Sequence, residues 1–338
     1  MKEFWKKNKK SVIILFSLFL IIGLWLFLFI LNFNSGKTVY GVTFSEKYAL
    51  DLGLDWQKTY LAILDDLKVS NLRLVAYWDE IEARQDVFNF TDLDWQLQQA
   101  QARNIKVLLV VGRRTPRWPE CHDPTWLSPL APLAIEQQQL ELIKAVIDRY
   151  KDNPAIYAWQ VENEPFLAVF GKCPLLDKQF LKKEISLVKS LDQKPIVITD
   201  SGELGWWQQA ASLGDILGST MYRIVWNKNL GFWDYFFIPP AFYHYKAELT
   251  KFFHPNLKKV IITELQMEPW TFDRDMTDLT WDEQEQSFDL KRFQNNIIYV
   301  QKTGFSEVYL WGVEYWYWLI EQGHPEIWQQ AKTLWQVK

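Results

Sequence analysis

Two glutamates stand at the ends of two short apolar runs, and their positions suggest acid and nucleophile chemistry. Glu164 follows the run 156–161, and Glu264 follows the run 259–263. They are 264 − 164 = 100 residues apart, so only a fold that gathers strand ends at one rim could bring them together. A parallel barrel does this at its C-terminal rim. A pair of carboxylates there, one protonated and the other ionised, is the arrangement that hydrolyses glycosidic bonds.

The elements that must position this pair repeat eight times along the chain. Each unit is a short strand-like run followed by a longer amphipathic segment, and eight such units favour a single (β/α)8 barrel over an open doubly wound sheet. The predicted strands are 39–43, 72–76, 106–111, 156–161, 195–199, 216–221, 259–263 and 307–311. The predicted helices are 56–67, 93–103, 135–150, 178–190, 206–213, 240–253, 282–303 and 326–337. Glu164 then closes the fourth strand and Glu264 the seventh, in one domain at 38–338.

The first segment predicts where the protein is located. An uncharged run at 11–31 is long enough to cross a bilayer core of about 30 Å. It follows a basic segment at 1–10, which the positive-inside rule keeps in the cytoplasm. We therefore expect a transmembrane signal anchor at 11–31, a short linker at 32–37, a lipid bilayer as partner and an extracytoplasmic barrel. The alternative is a cleaved signal peptide, whose apolar region is normally about 7–15 residues and ends in a small-residue cleavage site.

Composition limits the class of protein. With 338 residues and 49% hydrophobic content, the chain can bury the core of a barrel-sized domain. Beyond residue 10 there remain 37 − 5 = 32 basic and 41 − 1 = 40 acidic residues, and this acidic balance argues against nucleic-acid binding. The 19 Trp, 14 Tyr and 22 Phe can fill the core or stack on sugar rings. The aromatic stretch 226–237 fits a lid, a partner surface, a membrane-facing patch or packing on the helix layer.

Cys121 and Cys173 both fall in predicted loops that follow strands, and hence on one face of a barrel. In an oxidising compartment they could form a disulfide, and the alternative is two unpaired thiols. Neither cysteine has the spacing of a zinc site, and the four histidines show no metal-binding pattern. We therefore expect neither a metal nor an organic cofactor.

The motif around the first glutamate resembles a known clan. Asn163-Glu164-Pro165 after the fourth strand, with Glu264 after the seventh, is similar to the (β/α)8 retaining glycoside hydrolases that include the cellulase and mannanase family and β-galactosidase family forty-two. The resemblance implies that Glu164 is the acid/base, that Glu264 is the nucleophile and that Asn163 contacts the sugar 2-hydroxyl.

The same resemblance extends to supporting residues. Arg73 resembles the arginine that supports the nucleophile, Tyr222 a tyrosine that bonds to it, and Trp311 the aromatic floor of the subsite where cleavage occurs. Trp78 and Trp270 are loop aromatics expected to line the sugar site. Tyr222 and Trp311 could instead be core residues, and Arg73 could be an ion-pair partner inside the barrel.

Two segments resemble the β-galactosidase-like families, with two departures. The segments are 78–82 and 115–119. Residues 83–86 replace the usual Pro-x-x-Gly, and Gly112-Arg113 stands where cellulases often have a histidine. These departures leave the sugar undetermined.

Two other glutamates compete for the catalytic roles. Glu162 would point the same way as Glu164 in a regular strand, and Glu268 follows Glu264 by four residues. The hypothesis is a membrane-anchored retaining glycosidase that acts on extracytoplasmic poly- or oligosaccharides. The alternatives are a glycan-binding pseudoenzyme on the barrel scaffold and a transglycosidase that remodels surface polysaccharide. The sequence does not predict the oligomeric state.

Overall fold

The computed structural model describes residues 2–34, 36, 38–174, 176–227, 229, 231–271 and 274–336, with side chains from residue 11 onward except residue 12. Parts of four sequence predictions lie outside these described residues. They are Ser35 and Lys37 of the predicted linker, Lys228 and Leu230 of the aromatic stretch, Val337 of the last predicted helix, and the lysine side chains of the basic segment.

Eight parallel strands close into a barrel, which confirms the predicted fold class. The barrel strands are β1 Val39–Thr43, β2 Asn71–Val75, β3 Lys106–Val111, β4 Ile156–Val161, β5 Ile196–Asp200, β6 Ile216–Met221, β9 Lys259–Gln266 and β10 Glu307–Trp311. The barrel closes where β1 pairs with β10 in the register Val39↔Glu307 to Thr43↔Trp311. The seventh barrel strand, β9, is longer than predicted, so Glu264 lies within it rather than after it.

An antiparallel hairpin that the sequence did not predict follows the sixth barrel strand. Its strands are β7 Ile224–Asn227 and β8 Gly231–Asp234, and Ile224 pairs with Asp234. It lies between the C-terminal end of β6 and the next helix, so it belongs to the same rim as the two glutamates.

Helices cover the outside of the barrel. They are α1 Lys2–Ile30, α2 Glu46–Asp51, α3 Trp56–Ala62, α4 Trp78–Ile81, α5 Thr91–Ala102, α6 Pro132–Tyr150, α7 Lys178–Leu191, α8 Gln208–Ala211, α9 Pro240–Phe253, α10 Trp281–Ser287, α11 Leu290–Thr303, α12 Val313–Glu321 and α13 Glu326–Gln336. The single helix predicted at 282–303 is wrong, because the chain breaks there into α10 and α11. Phe288 is extended and buried, and Asp289 caps α11 by accepting a hydrogen bond from the backbone N–H of Arg292.

Two apolar layers hold the barrel. The larger lies between the strands and the surrounding helices, and the smaller fills the barrel interior with Leu108, Ala158, Val197, Ile216, Ile261 and Tyr309. Gly218 has no side chain because a Cβ there would lie 2.6 Å from Thr263 and 2.7 Å from Thr199. The packed interior holds the strand ends at fixed positions on the rim.

The N-terminal helix α1 stands apart from the barrel core. It contains one stretch, Ile13–Ile30, that is long and apolar enough to cross a membrane, and this stretch is not buried in the protein. The end of α1 contacts α9. There the indole N–H of Trp25 donates to the carbonyl of Phe237 at 3.0 Å, and the ring of Phe33 stacks on His244 at 3.6 Å.

Candidate active site

Glu164 follows β4 on a sharply turned backbone. Its φ is 41°, in the left-handed region, which turns the side chain out of strand alternation. The backbone N–H donates to Thr199 Oγ1 on β5 at 2.7 Å, and Thr220 Oγ1 on β6 donates to the carboxylate at 3.2 Å. The two neighbouring strands thereby fix a carboxylate that is only 5% exposed.

The surroundings of Glu164 favour its protonated form. Burial raises the pKa of this carboxyl well above its usual range, and the negative charges of Glu264, Glu120 and Asp200 raise it further. Arg114 acts in the opposite direction without reversing the shift. A carboxyl whose pKa is raised in this way is suited to general-acid catalysis.

Two side chains donate hydrogen bonds to Glu264. Arg73 Nη1 donates to Oε1 at 2.8 Å, and the hydroxyl of Tyr222 donates to Oε2 at 2.9 Å. Thr220 stands beside Glu264 in the β6–β9 register and also bonds to Glu164, so a single strand links the two carboxylates. Charge-assisted donors of this kind stabilise an anion that is ready to attack an electrophile.

Arg73 joins the nucleophile candidate to the motif of the fourth strand. The side chain is fully buried inside the barrel, and its Nη2 donates to Asn163 Oδ1 at 2.8 Å. Its Nε donates to Gln160 at 2.9 Å. Arg73 is thus an ion-pair partner inside the barrel and also a support for Glu264. The two roles that the sequence left open for Arg73 are therefore compatible.

Glu120 is a third carboxylate at the site, and sequence reasoning missed it. Asn163 Nδ2 donates to its Oε1 at 3.3 Å, and Arg114 Nε donates to its Oε2 at 2.7 Å. Burial, together with the charge of Glu264, raises the pKa of Glu120 to about 7, against the opposing effect of Arg114. Glu120 lies in an irregular loop, where neither strand ends nor helical periodicity marks it. Its position directly before Cys121 was the one available signal.

The disulfide holds the Glu120 loop against the loop after β4. Cys121 and Cys173 are joined with an Sγ–Sγ distance of 2.08 Å. Arg114 supports the same junction, because its Nη1 and Nη2 donate to the carbonyls of Leu167 and Phe170 at 2.9 and 2.8 Å. The two loops therefore form one unit beside Asn163.

Trp311 ends β10 and forms a stack with two other side chains. The guanidinium of Arg117 lies 4.1 Å from the Trp311 ring and 3.7 Å from the Tyr48 ring. Arg117 also pairs with the buried carboxylates of Glu268 and Glu314. Glu268, the rival of Glu264, is thus engaged in an ion pair with Arg117 instead of with Arg73.

A row of aromatic rings runs outward from Glu264. Tyr222 meets Trp270 with ring centroids 5.4 Å apart, Trp270 meets Phe170 at 5.7 Å, and Phe170 meets Trp118 at 5.7 Å. Trp118, at the outer end, is 56% exposed. The structure therefore brings Trp270 next to the site, on a surface of the kind that stacks on sugar rings.

Two sequence expectations fail for clear reasons. Glu162 does not point the same way as Glu164, because its φ of 62° breaks the strand and its carboxylate accepts the backbone N–H groups of Arg113 and Arg114 at 2.8 and 2.7 Å. Trp78 does not line the site either. It belongs to the hydrophobic core, and its indole N–H donates to Glu82 at 2.8 Å.

The side chains of this rim include groups suited to proton transfer and to nucleophilic attack. Within the described ranges, no group of three or more His, Cys, Asp and Glu side chains is arranged to hold a metal ion. A protonated carboxyl and a bound carboxylate at the C-terminal ends of barrel strands are the working parts of glycoside hydrolysis.

The barrel fold and the pair of rim carboxyl groups are similar to those of (β/α)8-barrel glycoside hydrolases, and comparisons with known proteins find matches among that class. More particularly, the model for Glycosyl hydrolase family 10 matches residues 71–172, from β2 to the loop after β4, which includes Asn163 and Glu164. The xylanase 10B of Thermotoga petrophila, solved with xylobiose, has a TM-score of 0.55 at 14% identity, covering 82% of each chain. The GH5_18 structure from Bifidobacterium longum has a TM-score of 0.57 at 12% identity, covering 81% of this chain and 69% of that one.

A curated relative is similar over part of its length. The β-galactosidase BgaA of Clostridium cellulovorans is 23% identical over 185 residues, which are 46% of this chain and 27% of that protein. This chain spans between 15% and 27% of the length of the curated relatives that it matches.

Proposed function

We propose that this chain is a retaining glycoside hydrolase that cleaves β-linked O-glycosidic bonds in poly- or oligosaccharides by double displacement. The observation that carries the proposal is the contrast between the two rim glutamates. Glu164 is buried and lies near negatively charged groups, and both effects raise its pKa. Glu264 receives hydrogen bonds from Arg73 and Tyr222. Opposite environments for two carboxyl groups divide the acid role from the nucleophile role.

The reaction proceeds in two displacements. Glu264 attacks the anomeric carbon while Glu164 donates its proton to the leaving oxygen, and a covalent glycosyl-enzyme forms. Glu164, now ionised, takes a proton from water as that water attacks the anomeric carbon and releases Glu264. Asn163 contacts the sugar 2-hydroxyl, and the rings of Trp270 and Trp311 face the sugar.

The names of similar proteins give a range of candidate sugars. They include a β-galactosidase, a probable mannan endo-1,4-β-mannosidase and a xylanase solved with xylobiose. We therefore propose aryl β-galactoside, β-mannoside, β-xyloside and β-glucoside as the panel to be tested first. Turnover of one member of this panel identifies the sugar bound next to Glu264.

Covalent labelling tests the nucleophile. The 2-fluoro derivative of the accepted sugar should add one glycosyl group to the wild type, located at Glu264 by peptide mass spectrometry, because the fluorine slows the second displacement. Glu264→Gln should not be labelled. Glu268→Gln is the matched control, since Glu268 is a buried glutamate four residues away, and it should be labelled. Labelling of Glu264→Gln would refute the assignment, and glycan binding without turnover or labelling of the wild type would favour a binding protein.

We also propose that α1 anchors the barrel outside the cytoplasm. Its apolar stretch, Ile13–Ile30, has the length of a membrane span, and the preceding lysines favour a cytoplasmic N-terminus. The disulfide between Cys121 and Cys173 supports an oxidising compartment for the barrel. The polysaccharide would then be an extracytoplasmic one.

A further inference from the structure

The direction of α1 relative to the barrel can be deduced from its two contacts. Phe33 donates its backbone N–H to the carbonyl of Lys302 at 3.0 Å. Lys302 lies in the last turn of α11, just before β10 begins, and the ring of Phe33 stacks on His244 in the second turn of α9, so Phe33 lies below the catalytic rim. Trp25 bonds to Phe237, which lies between the hairpin and α9, on the catalytic rim. Followed backwards from Phe33 to Trp25, the chain therefore runs toward the catalytic rim.

The rest of α1 continues past that rim. Residues 2–24 form one unbroken helix with Trp25, and 23 residues at 1.5 Å each extend about 35 Å beyond it. The side of α1 that meets the barrel is short, because Trp25, Leu28 and Phe29 are its partly covered residues near that end. A membrane crossed by α1 therefore lies on the catalytic side of the barrel.

We propose that the catalytic rim docks onto the bilayer that α1 crosses, and that the substrate is a glycan carried by a membrane lipid. This inference rests on the proposed function, both for the membrane anchor and for the hydrolysis. It specifies the substrate class by placing the reacting bond at the membrane surface, where a lipid-linked sugar is within reach of Glu264.

Exposed apolar side chains support this orientation. The loops after β3, β4, β5 and β6 all belong to the catalytic rim, and each exposes large apolar residues: Trp118, Val169, Leu204, Trp206, Trp233 and Phe236. Trp206 is 78% exposed and Phe236 is 68% exposed. Tryptophan and phenylalanine in this setting are typical of a surface that enters the headgroup layer. Trp25, bonded to Phe237 at this rim, lies five residues inside the end of the apolar stretch at Ile30, about 8 Å of helix, so the rim at its level enters the bilayer to a similar depth.

The aromatic row at the active site opens onto this surface. Trp118 is both an exposed rim residue and the outer end of the row that leads through Phe170 and Trp270 to Tyr222. A sugar held at the headgroup layer could therefore pass along stacked rings to Glu264. A soluble glycan would not require an aromatic row that joins an exposed apolar rim to the active site.

The opposite end of the barrel provides a matched control. Phe252 and Phe253 end α9 on the far side from the active site, and Phe252 is 78% exposed, the same fraction as Trp206. If the barrel lay on the membrane through the side of α9, this pair would be buried in lipid as well. The two orientations therefore differ in whether Phe252 meets the bilayer in addition to Phe236.

A fluorescent probe can decide between these orientations. The natural cysteines are joined in the disulfide, so a new thiol can be labelled selectively. Full-length Phe236→Cys and Phe252→Cys proteins, labelled with an environment-sensitive dye, are placed in phosphatidylcholine nanodiscs. We expect a blue shift and quenching by spin-labelled lipid at position 236 and neither change at position 252. A change at both positions, the reverse pattern, or no change at either position would overturn the proposal.

Turnover tests the substrate class with full-length protein in phosphatidylcholine vesicles. Two probes carry the same sugar, a diacylglycerol β-glycoside in the vesicle and a soluble aryl β-glycoside. Trp206→Ser with Phe236→Ser should lower turnover of the lipid glycoside about ten-fold, equivalent to about 1.4 kcal/mol, and leave aryl glycoside turnover unchanged. Phe252→Ser with Phe253→Ser should change neither.

The two probes also separate this inference from the proposed function. Equal loss on both probes, or unchanged turnover of the lipid glycoside in the rim variant, would refute the membrane-facing rim while leaving hydrolysis intact. Absence of turnover on every probe by the wild type would refute the proposed hydrolysis, and the fluorescence measurement would still test the docking on its own.

Discussion

At the scale of single residues, the site depends on which side chains neighbour each carboxyl group. Glu164 and Glu264 could be predicted because each ends an apolar run and one stands in Asn163-Glu164-Pro165. Glu120 could not, because a loop residue acquires its partners only through the tertiary fold. The orientation of Glu162 could not be predicted either, because its positive φ cannot be deduced from a sequence pattern that fits a regular strand.

Glu120 should control the alkaline side of the pH profile. In the proposed mechanism Glu164 acts while protonated, so activity is lost as the pH rises through its pKa, and the charge of Glu120 helps to raise that pKa. Glu120 itself ionises with a pKa of about 7. We expect Glu120→Gln to lower the pKa of Glu164 and move the alkaline limb of kcat/KM to lower pH. Rate measurements from pH 5 to 10 on the accepted aryl glycoside would measure this shift.

A second buried glutamate serves as the control for this measurement. Glu184 on α7 interacts with Glu162, Gln139 and Glu136 rather than with the carboxylates of the site, and burial raises its pKa well above the usual range. Glu184→Gln should leave the alkaline limb in place. A limb that stays fixed in Glu120→Gln, or that moves equally in both variants, would show that the charge of Glu120 does not act on Glu164.

At the scale of elements, the barrel strands were predictable and the rim was not. Buried parallel strands appear in a sequence as short, mainly apolar runs. The bounds predicted for β1, β3, β4, β6 and β10 therefore agree with the structure. The hairpin between β6 and α9 lacks this signal, because its strands are four residues long and partly exposed. The short rim helices α2, α4 and α12 escaped prediction because a helix of 4 to 9 residues shows little periodicity.

The disulfide should stabilise two rim loops as one element. It closes a separation of 52 residues, for which loss of unfolded-chain entropy contributes about 4 kcal/mol in the simplest treatment. We expect Cys121→Ser with Cys173→Ser to lower the free energy of unfolding by about 3 kcal/mol in urea denaturation. Its KM should also rise, because Glu120 and Arg114 at this junction hold Asn163 and the loop after β4.

Chemical reduction gives an independent check on this pair. Wild-type protein unfolded with a thiol reductant present should have the same urea midpoint as the double variant, and the reductant should not shift the midpoint of the double variant. A wild type whose midpoint and KM are unaffected by reduction would mean that the loops are held by Arg114 and packing alone.

At the scale of the whole molecule, α1 and the barrel together define the topology that we propose. The full chain should remain in the membrane fraction after carbonate washing, because about 20 apolar residues bind a bilayer core almost irreversibly. Protease added outside intact cells should degrade an epitope fused at Lys338 and spare one fused before Met1. Mature protein beginning after residue 31, recovered from the soluble fraction, would instead establish a cleaved signal peptide.

Arg117 has a consequence for when the catalytic face becomes complete. Its carboxylate partners, Glu268 and Glu314, follow it by 151 and 197 residues, and its stacking partner Trp311 lies in the last strand. During translation, Arg117 is therefore synthesised long before Glu268 and Glu314, the carboxylates that pair with it. The early units of the barrel must leave the exit tunnel with that part of the rim unfinished. The seventh βα unit supplies Glu268, and only the final unit supplies Glu314 and Trp311, so the surroundings of Arg117 stay incomplete until synthesis is almost over.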